Sequence, residues 1–445
     1  MRRFVLIIAT FGLCFPSWAA AEQFEQLSNR LKQYDQQTSG QQNVQTRRSS
    51  AGEETASYQG EPSAEEVYAP GNTNAWLNDG DWDGQDDGCC TDCVRHRGPW
   101  RGAWGRAEYL QWWVRGANTP ALVTSNPNNG ILPSATLLFG NEQINKGGRS
   151  GGRFTAGYWF NDCNTTGLEA SFLFVGNSAD AFTAASNGSP LLARPFFNVL
   201  TGQQDANLIA APDIVIGSVN VTSSRQIYGA EINVREALFV DCCRRIDVVA
   251  GYRYFHVGEG LQVATNTTSI DQNNPAIQVG TTFGITDAFN TSNTFNGGQL
   301  GLNAQHNEGR WTLDLLAKLA LGGMSQHVNI NGSTIVTVPN TAPVTNQGGI
   351  LALASNSGQH DRNRFAVLPE FGANLRYQLS PLWRVNVGYT LLIVSNVVRP
   401  GDQIDLRLDP NQFPPPVATG TSPQFAYHES TVWLQGINLG IECDF

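Results

Sequence analysis

Val432-Trp433-Leu434-Gln435-Gly436-Ile437-Asn438-Leu439-Gly440-Ile441-Glu442-Cys443-Asp444-Phe445 closes the chain. Taken in steps of two, this stretch separates into two faces. Trp433, Ile437, Leu439, Ile441, Cys443 and Phe445 stand on one; Gly436, Asn438, Gly440, Glu442 and Asp444 stand on the other. Such alternation over about a dozen residues is a β-strand between two unlike environments. A face of glycine and carboxylate makes no core, so the apolar face is the one that needs cover, and lipid can supply it. Apolar outside and polar inside over about ten residues is the pattern of a transmembrane β-barrel strand. An edge strand of a soluble sandwich would alternate in the same way, so the rest of the chain has to decide.

Nine further stretches after residue 100 carry the same alternation: 104–115, 153–160, 167–176, 226–239, 245–257, 294–305, 311–322, 365–379 and 382–393. In the seventh, for example, Trp311, Leu313, Leu315, Ala317, Leu319 and Leu321 oppose Thr312, Asp314 and Lys318. Short connections (161–166, 240–244, 306–310 and 380–381) alternate with long ones (116–150, 178–223, 260–293 and 396–428). Soluble domains rarely hold so many long loops. Short turns on one side and long loops on the other belong to an outer-membrane barrel, and an even strand number returns both ends to the periplasmic side. The expected fold is an all-β antiparallel transmembrane barrel of about ten strands, within a range of about eight to fourteen, since 214–221 and 328–330 either extend strands above the membrane or hide another pair.

Composition agrees. Of 445 residues only 15% are charged and 46 are glycine, against about 25% charged in soluble domains. The net charge of −10 offers no basic patch for nucleic acid. No long apolar run follows the N-terminus, which argues against helical membrane spans. Residues 1–21 read as a secretory signal: Arg2 and Arg3, the apolar stretch 4–15, then Ala19, Ala20 and Ala21. Residues 22–99, rich in Gln, Ser, Glu and Gly, read as a low-complexity, disordered periplasmic arm, and 100–445 as the barrel. Within the arm, Asp79-Gly80-Asp81-Trp82-Asp83-Gly84 copies the first half of a calcium loop, but Cys90 stands where the bidentate glutamate belongs, so no metal site is expected.

With the apolar faces in lipid, the opposite faces turn inward. They carry Glu108, Arg153, Glu169, Glu231, Arg253, Asp314, Lys318, Glu370, Arg376, Arg384 and Glu442, together with Arg235 and Asp247. A buried charge without a partner is costly, so these groups either pair across the lumen or stand in water. Two readings stay open at this point: a plug of ion pairs, or a narrow path whose lining sets its charge preference. The six histidines form no metal or triad spacing; His360-Asp361 and His428-Glu429, where outer loops rejoin strands, are read as exposed polar pairs. No catalytic residue, metal or cofactor is assigned. Seven cysteines follow the signal, and all fall on the periplasmic rim of the expected barrel. Cys163 is expected to bridge to Cys242 or Cys243, and Cys443 into the Cys89/Cys90/Cys93 cluster.

Several of these segments resemble the β-barrel porin-7 family of bacterial envelope proteins. The matching pieces are Arg106-Ala107-Glu108-Tyr109-Leu110-Gln111-Trp112-Trp113, Gly151-Gly152-Arg153, Gly229-Ala230-Glu231, Gly251-Tyr252-Arg253-Tyr254 and Gln435-Gly436-Ile437-Asn438. The most specific is Gly388-Tyr389-Thr390 followed by Val398-Arg399-Pro400-Gly401-Asp402-Gln403-Ile404-Asp405. The resemblance implies an outer-membrane barrel passing small hydrophilic solutes by diffusion. The alternative is a closed structural or surface-interaction barrel working through its outer loops. Arg399 and Asp402 are expected to fold the loop carrying them over the barrel mouth. The terminal aromatic Phe445 resembles the signal read by barrel-assembly machinery, which, with outer-membrane lipid, completes the expected partners.

Overall fold

The computed structural model describes residues 102–414 and 419–445. The signal sequence, the arm with its half calcium loop, and Cys89, Cys90 and Cys93 lie outside the described residues. Ten long strands among the described residues form one antiparallel ring. They are β1 (Ala103–Val114), β2 (Gly148–Trp159), β3 (Thr166–Ser186), β4 (Val215–Val240), β5 (Arg244–Ser269), β6 (Thr282–Glu308), β7 (Trp311–Thr337), β8 (Gly358–Gln378), β9 (Trp383–Val398) and β10 (Glu429–Asp444). Each pairs with its neighbour in sequence, and β10 closes on β1 from Trp104↔Asp444 to Val114↔Leu434. Closure removes every free sheet edge, which the lipid interior demands of a strand structure.

The four short turns (160–165, 241–243, 309–310 and 379–382) lie at one end of the ring, with the start of β1 and the end of β10 beside them. Outward side chains near this end and through the lower wall are large and apolar: Phe154, Phe172, Ile232, Val234, Leu300, Leu302, Leu319, Leu439 and Ile441 are all exposed. Tyr158, Phe160, Trp311, Trp383 and Phe445 add an aromatic girdle at the turn end.

The opposite end departs from expectation. Strands β4 to β7 are 26 to 27 residues long, where a bilayer requires about 9–11. Much of the segments 178–223 and 260–293, expected as loops, continues the barrel wall beyond the lipid. The reason is an exchange of faces. On β4, the lower residues Tyr228, Ala230, Ile232 and Val234 point out and Glu231, Asn233 and Arg235 point in; higher up, Asn220, Thr222 and Ser224 point out and Val219 and Val221 point in. Period two persists without interruption, but the apolar parity inverts where lipid gives way to water. In this upper cup the connections 115–147, 187–214 and 338–357 and the segments 399–414 and 419–428 pack inward around Leu122, Leu192, Phe196, Ile209, Val263, Phe289, Ile350 and Leu408.

Candidate functional site: the barrel lumen

Inward side chains fill the lumen in layers. At the turn end Glu442 is the hub. Arg106 reaches it at 2.5 Å, Arg384 at 2.5 Å and Arg376 at 3.2 Å; Arg376 also meets Asp314 at 3.0 Å, and Arg384 meets Asp444. Three arginines thus face three carboxylates.

The next layer is one connected chain of ion pairs. Glu108 binds Arg153 at 2.6 Å, and Arg153 faces Glu370 at 3.7 Å. Glu370 binds Arg253 at 2.6 Å, which lies 3.9 Å from Glu231. Glu231 binds Lys318 at 2.5 Å; Glu169 stands 3.9 Å from Lys318 and 3.6 Å from Arg235. Asp247 ends the chain between Arg235 at 2.6 Å and Arg245 at 2.7 Å. Five bases meet five acids. Amides fill in between: Asn386 donates to Glu108 at 3.1 Å, and Gln299 donates to Glu231 at 3.0 Å. About 60 Å³ of space remains among these groups, room for a few waters.

All thirteen inward residues named from the sequence, Glu108, Arg153, Glu169, Glu231, Arg235, Asp247, Arg253, Asp314, Lys318, Glu370, Arg376, Arg384 and Glu442, are members of these two networks. None stands alone.

Above the charges lies an apolar layer contributed from around the ring. Leu110, Trp112, Leu173, Val175, Ile227, Phe255, Phe295, Met324, Leu368, Leu392, Val394 and Leu434 belong to one buried cluster. The lumen is narrow enough that large side chains need glycine beside them: a Cβ on Gly297 would sit 2.6 Å from the Phe295 ring. The indole of Trp112 donates to Asn438 at 2.8 Å, and Asn438 donates to Thr390 at 2.7 Å, so the polar atoms entering this layer are satisfied.

A third charged group caps the apolar layer. Arg399, 2% exposed, grips Glu259 through two nitrogens at 2.8 Å and donates to the Gly116 carbonyl at 2.6 Å. Arg225 binds Glu259 from the other side at 2.5 Å and donates to the Asn145 and Arg115 carbonyls at 3.1 and 3.2 Å. Pro400, Gly401 and Asp402 open a short 3₁₀ turn that leads the chain inward, and a Cβ on Gly401 would strike the Asn118 carbonyl. Asp405 accepts from the Arg407 and Gln424 amides at 2.9 Å each, closing the same loop on itself. Burial works to raise the Glu259 carboxyl, but Arg399 and Arg225 reverse this and hold it below the ordinary carboxylate range.

Arg225 and Glu259 were not among the residues singled out from sequence. Both lie on the inward parity of β4 and β5, beyond where the apolar-out pattern ends, and following that parity upward would have found them. The same holds for Asp287, which binds Arg194 at 2.7 Å and accepts from the Ile350, Leu351 and Ala352 amides at 3.0, 2.9 and 2.8 Å.

Other sites fall apart. His327 meets Asp361 at 2.7 Å, but on the exposed outer wall, and the neighbouring Ser325 bonds Asn363 instead. His360 stacks on Phe425 with ring centres 3.7 Å apart, and the His428 backbone is tied to Gln403. Cys163 is disulfide-bonded, as expected, whereas Cys243 is not its partner and Cys443, expected to bridge into the arm, is a free thiol. Cys443 points outward on β10 into an apolar recess with Trp383 and Phe445, on the face that meets lipid, whereas Cys243 sits in an exposed turn.

A closed antiparallel ring, an apolar outer belt with an aromatic girdle and a polar interior define a membrane β-barrel of the outer-membrane type. The chain belongs to the family described as "Putative beta barrel porin-7", which matches residues 104–445. Among solved structures it is similar to the outer membrane protease OmpT of Escherichia coli, at 7% identity over 80% of this chain and 100% of that one, with a TM-score of 0.39. A Pseudomonas aeruginosa FadL homologue matches at 9% identity over 77% and 90% of the two chains, with a TM-score of 0.21. The P. putida toluene transporter TodX matches at 8% identity over 78% and 90%, with a TM-score of 0.18. No curated protein matches the sequence.

Proposed function

We propose that the protein is an outer-membrane barrel closed across the bilayer, whose work is done by the folded outer head that the long strands carry. One observation supports this above the others: each inward charge of the membrane band is matched by an opposite one, and an apolar layer covers them. A water-filled path with a charge preference would be expected to leave some of its lining unpaired and hydrated. Here both charged layers are balanced, and ions would also have to cross Leu110, Trp112, Phe255 and Phe295. The 399–405 motif completes the seal by locking its loop to the barrel wall through Arg399. Localisation in the outer membrane and a lipid partner follow from the same reading.

Passive diffusion of small hydrophilic solutes is the second reading, favoured by the family's description as a porin. It requires the apolar layer to part. Swelling of proteoliposomes in small sugars separates the two. The closed barrel predicts swelling no faster than in protein-free vesicles, and size-dependent swelling restores the porin.

A further inference from the structure

At the end bearing the short turns, the lumen widens beside the Glu442 layer into a vestibule of about 300 Å³. Five arginines line it: Arg106, Arg235, Arg245, Arg376 and Arg384. Its own acids are Glu442 and Asp444, both already engaged by those arginines. Trp104 and Trp159 form two further walls, and the Gln305 amide oxygen accepts from Arg235 at 2.9 Å and Arg376 at 3.1 Å. Arg245 and Arg235 lie over the Trp159 ring at 4.7 and 5.4 Å, and Arg106 lies over Trp104 at 5.8 Å. Stacking in this way holds a guanidinium plane fixed while leaving its edges to donate.

The donors outnumber the acceptors. Arg245 spends Nε on Asp247 and Nη2 on the Asn164 carbonyl, and Arg106 spends Nε and Nη2 on Glu442. The Nε of Arg376 is buried with no hydrogen-bond partner. A buried donor left unmade is costly, and the residue that carries it lines this arginine-rich space.

We propose that this vestibule is an oxyanion-binding site for a periplasmic ligand bearing carboxylate or phosphate groups. Rigid guanidinium forks match the two-oxygen edge of either group. The volume suits an anionic side chain or chain end with a flat or sugar-like portion against the indoles. Under a seal such a site binds and holds its ligand instead of passing it on. The inference rests on the vestibule alone: a conducting barrel would leave it standing, and a silent barrel would not establish it.

The test uses full-length refolded protein in detergent, titrated with triglutamate, triglutamine and inorganic phosphate, and read by calorimetry and tryptophan fluorescence. The expected result is saturable binding of triglutamate, of phosphate or of both. That binding weakens as salt rises, and triglutamine shows none. Preference between the two anions assigns the source as peptide carboxylate or phosphate. Arg245→Gln, which leaves Asp247 paired with Arg235, is expected to weaken binding by about tenfold, the loss of one charge-assisted contact. Arg384→Gln at the more exposed rim serves if Arg245→Gln does not refold. Equal responses to all three titrants in the unmodified protein would overturn the proposal, as would unchanged affinity in a folded variant.

Discussion

Glu370 shows what a single lumen side chain does in this protein. It is almost fully buried on β8 and stands between Arg153 and Arg253. Removing its charge leaves two buried guanidiniums undercompensated, a defect that costs about 3–5 kcal/mol where it has been measured in other proteins. Glu370→Gln is therefore expected to lower the urea midpoint of the folded barrel sharply. A buried ion pair can often be exchanged whole for apolar groups at little cost, so Glu370→Met with Arg253→Met should recover much of the loss. Recovery failing in the double variant would mean that the network acts as more than a filler. Arg399→Ala breaks the grip on Glu259 and the Gly116 carbonyl, and cleavage within 399–428 by an added protease should speed up by at least about tenfold, corresponding to the loss of roughly 1.4 kcal/mol or more from loop closure. The Glu259 carboxyl, depressed by two arginines, contributes stability above its unfolded value near 4.5. That contribution is lost as pH falls through the lower folded value. Protease resistance of this loop should then hold from neutral pH down to about pH 5 and fail only below the usual carboxylate range. The inward charges were legible one at a time because each occupies a fixed parity on its strand. Their pairings were not, because Glu108 to Arg153 joins neighbouring strands while Arg253 to Glu370 crosses the lumen, and alternation along one strand says nothing about the far wall.

The elements carry the exchange of faces. Ten strands could be read from sequence because the lipid band keeps large apolar groups on one parity, and β10 shows this most clearly. Of the upper halves of β4 to β7, only 214–221 and 328–330 were legible as strand extensions, because a search for apolar-out alternation ends at Tyr228 on β4 and the apolar groups beyond it, such as Val221 and Val219, turn inward. An outer wall of Asn, Thr and Ser with a few buried valines looks like loop composition when the two parities are not tracked separately. Hydrogen exchange tests the correction: amides of 217–225 and 259–267 should be protected to a degree comparable with the lipid-embedded stretch 229–235, whereas free loops would exchange within seconds. Val263→Asp, which puts an unpartnered carboxylate into the upper core, should expose the head to protease and leave the lower barrel intact. The last strand contributes a different property. Phe445 is more than half exposed, and its amide donates to the Ala103 carbonyl at 2.9 Å, closing the seam by one bond. Little packing depends on its ring, so deleting Phe445 should lower the yield of inserted protein while the inserted fraction keeps its heat resistance. Normal insertion would remove the proposed assembly role.

At the scale of the whole molecule, two structures share one wall. The lower is a membrane barrel, with an apolar outside and a balanced ionic inside. The upper is a water-exposed barrel with an apolar inside, its connections folded into the cup and fastened by Arg399, Arg225 and Asp287. The apolar layer around Trp112 and Phe255 is where the two interiors meet. Closure across the membrane is the central claim, and it follows from pairing that no single strand records. Single-channel recording of the purified, refolded protein in a planar bilayer with molar potassium chloride tests it most directly. The closed barrel predicts insertion, verified by recovery of folded protein from the bilayer, with no steps above the lipid baseline; stable, uniform conductance steps from the same preparation would contradict it.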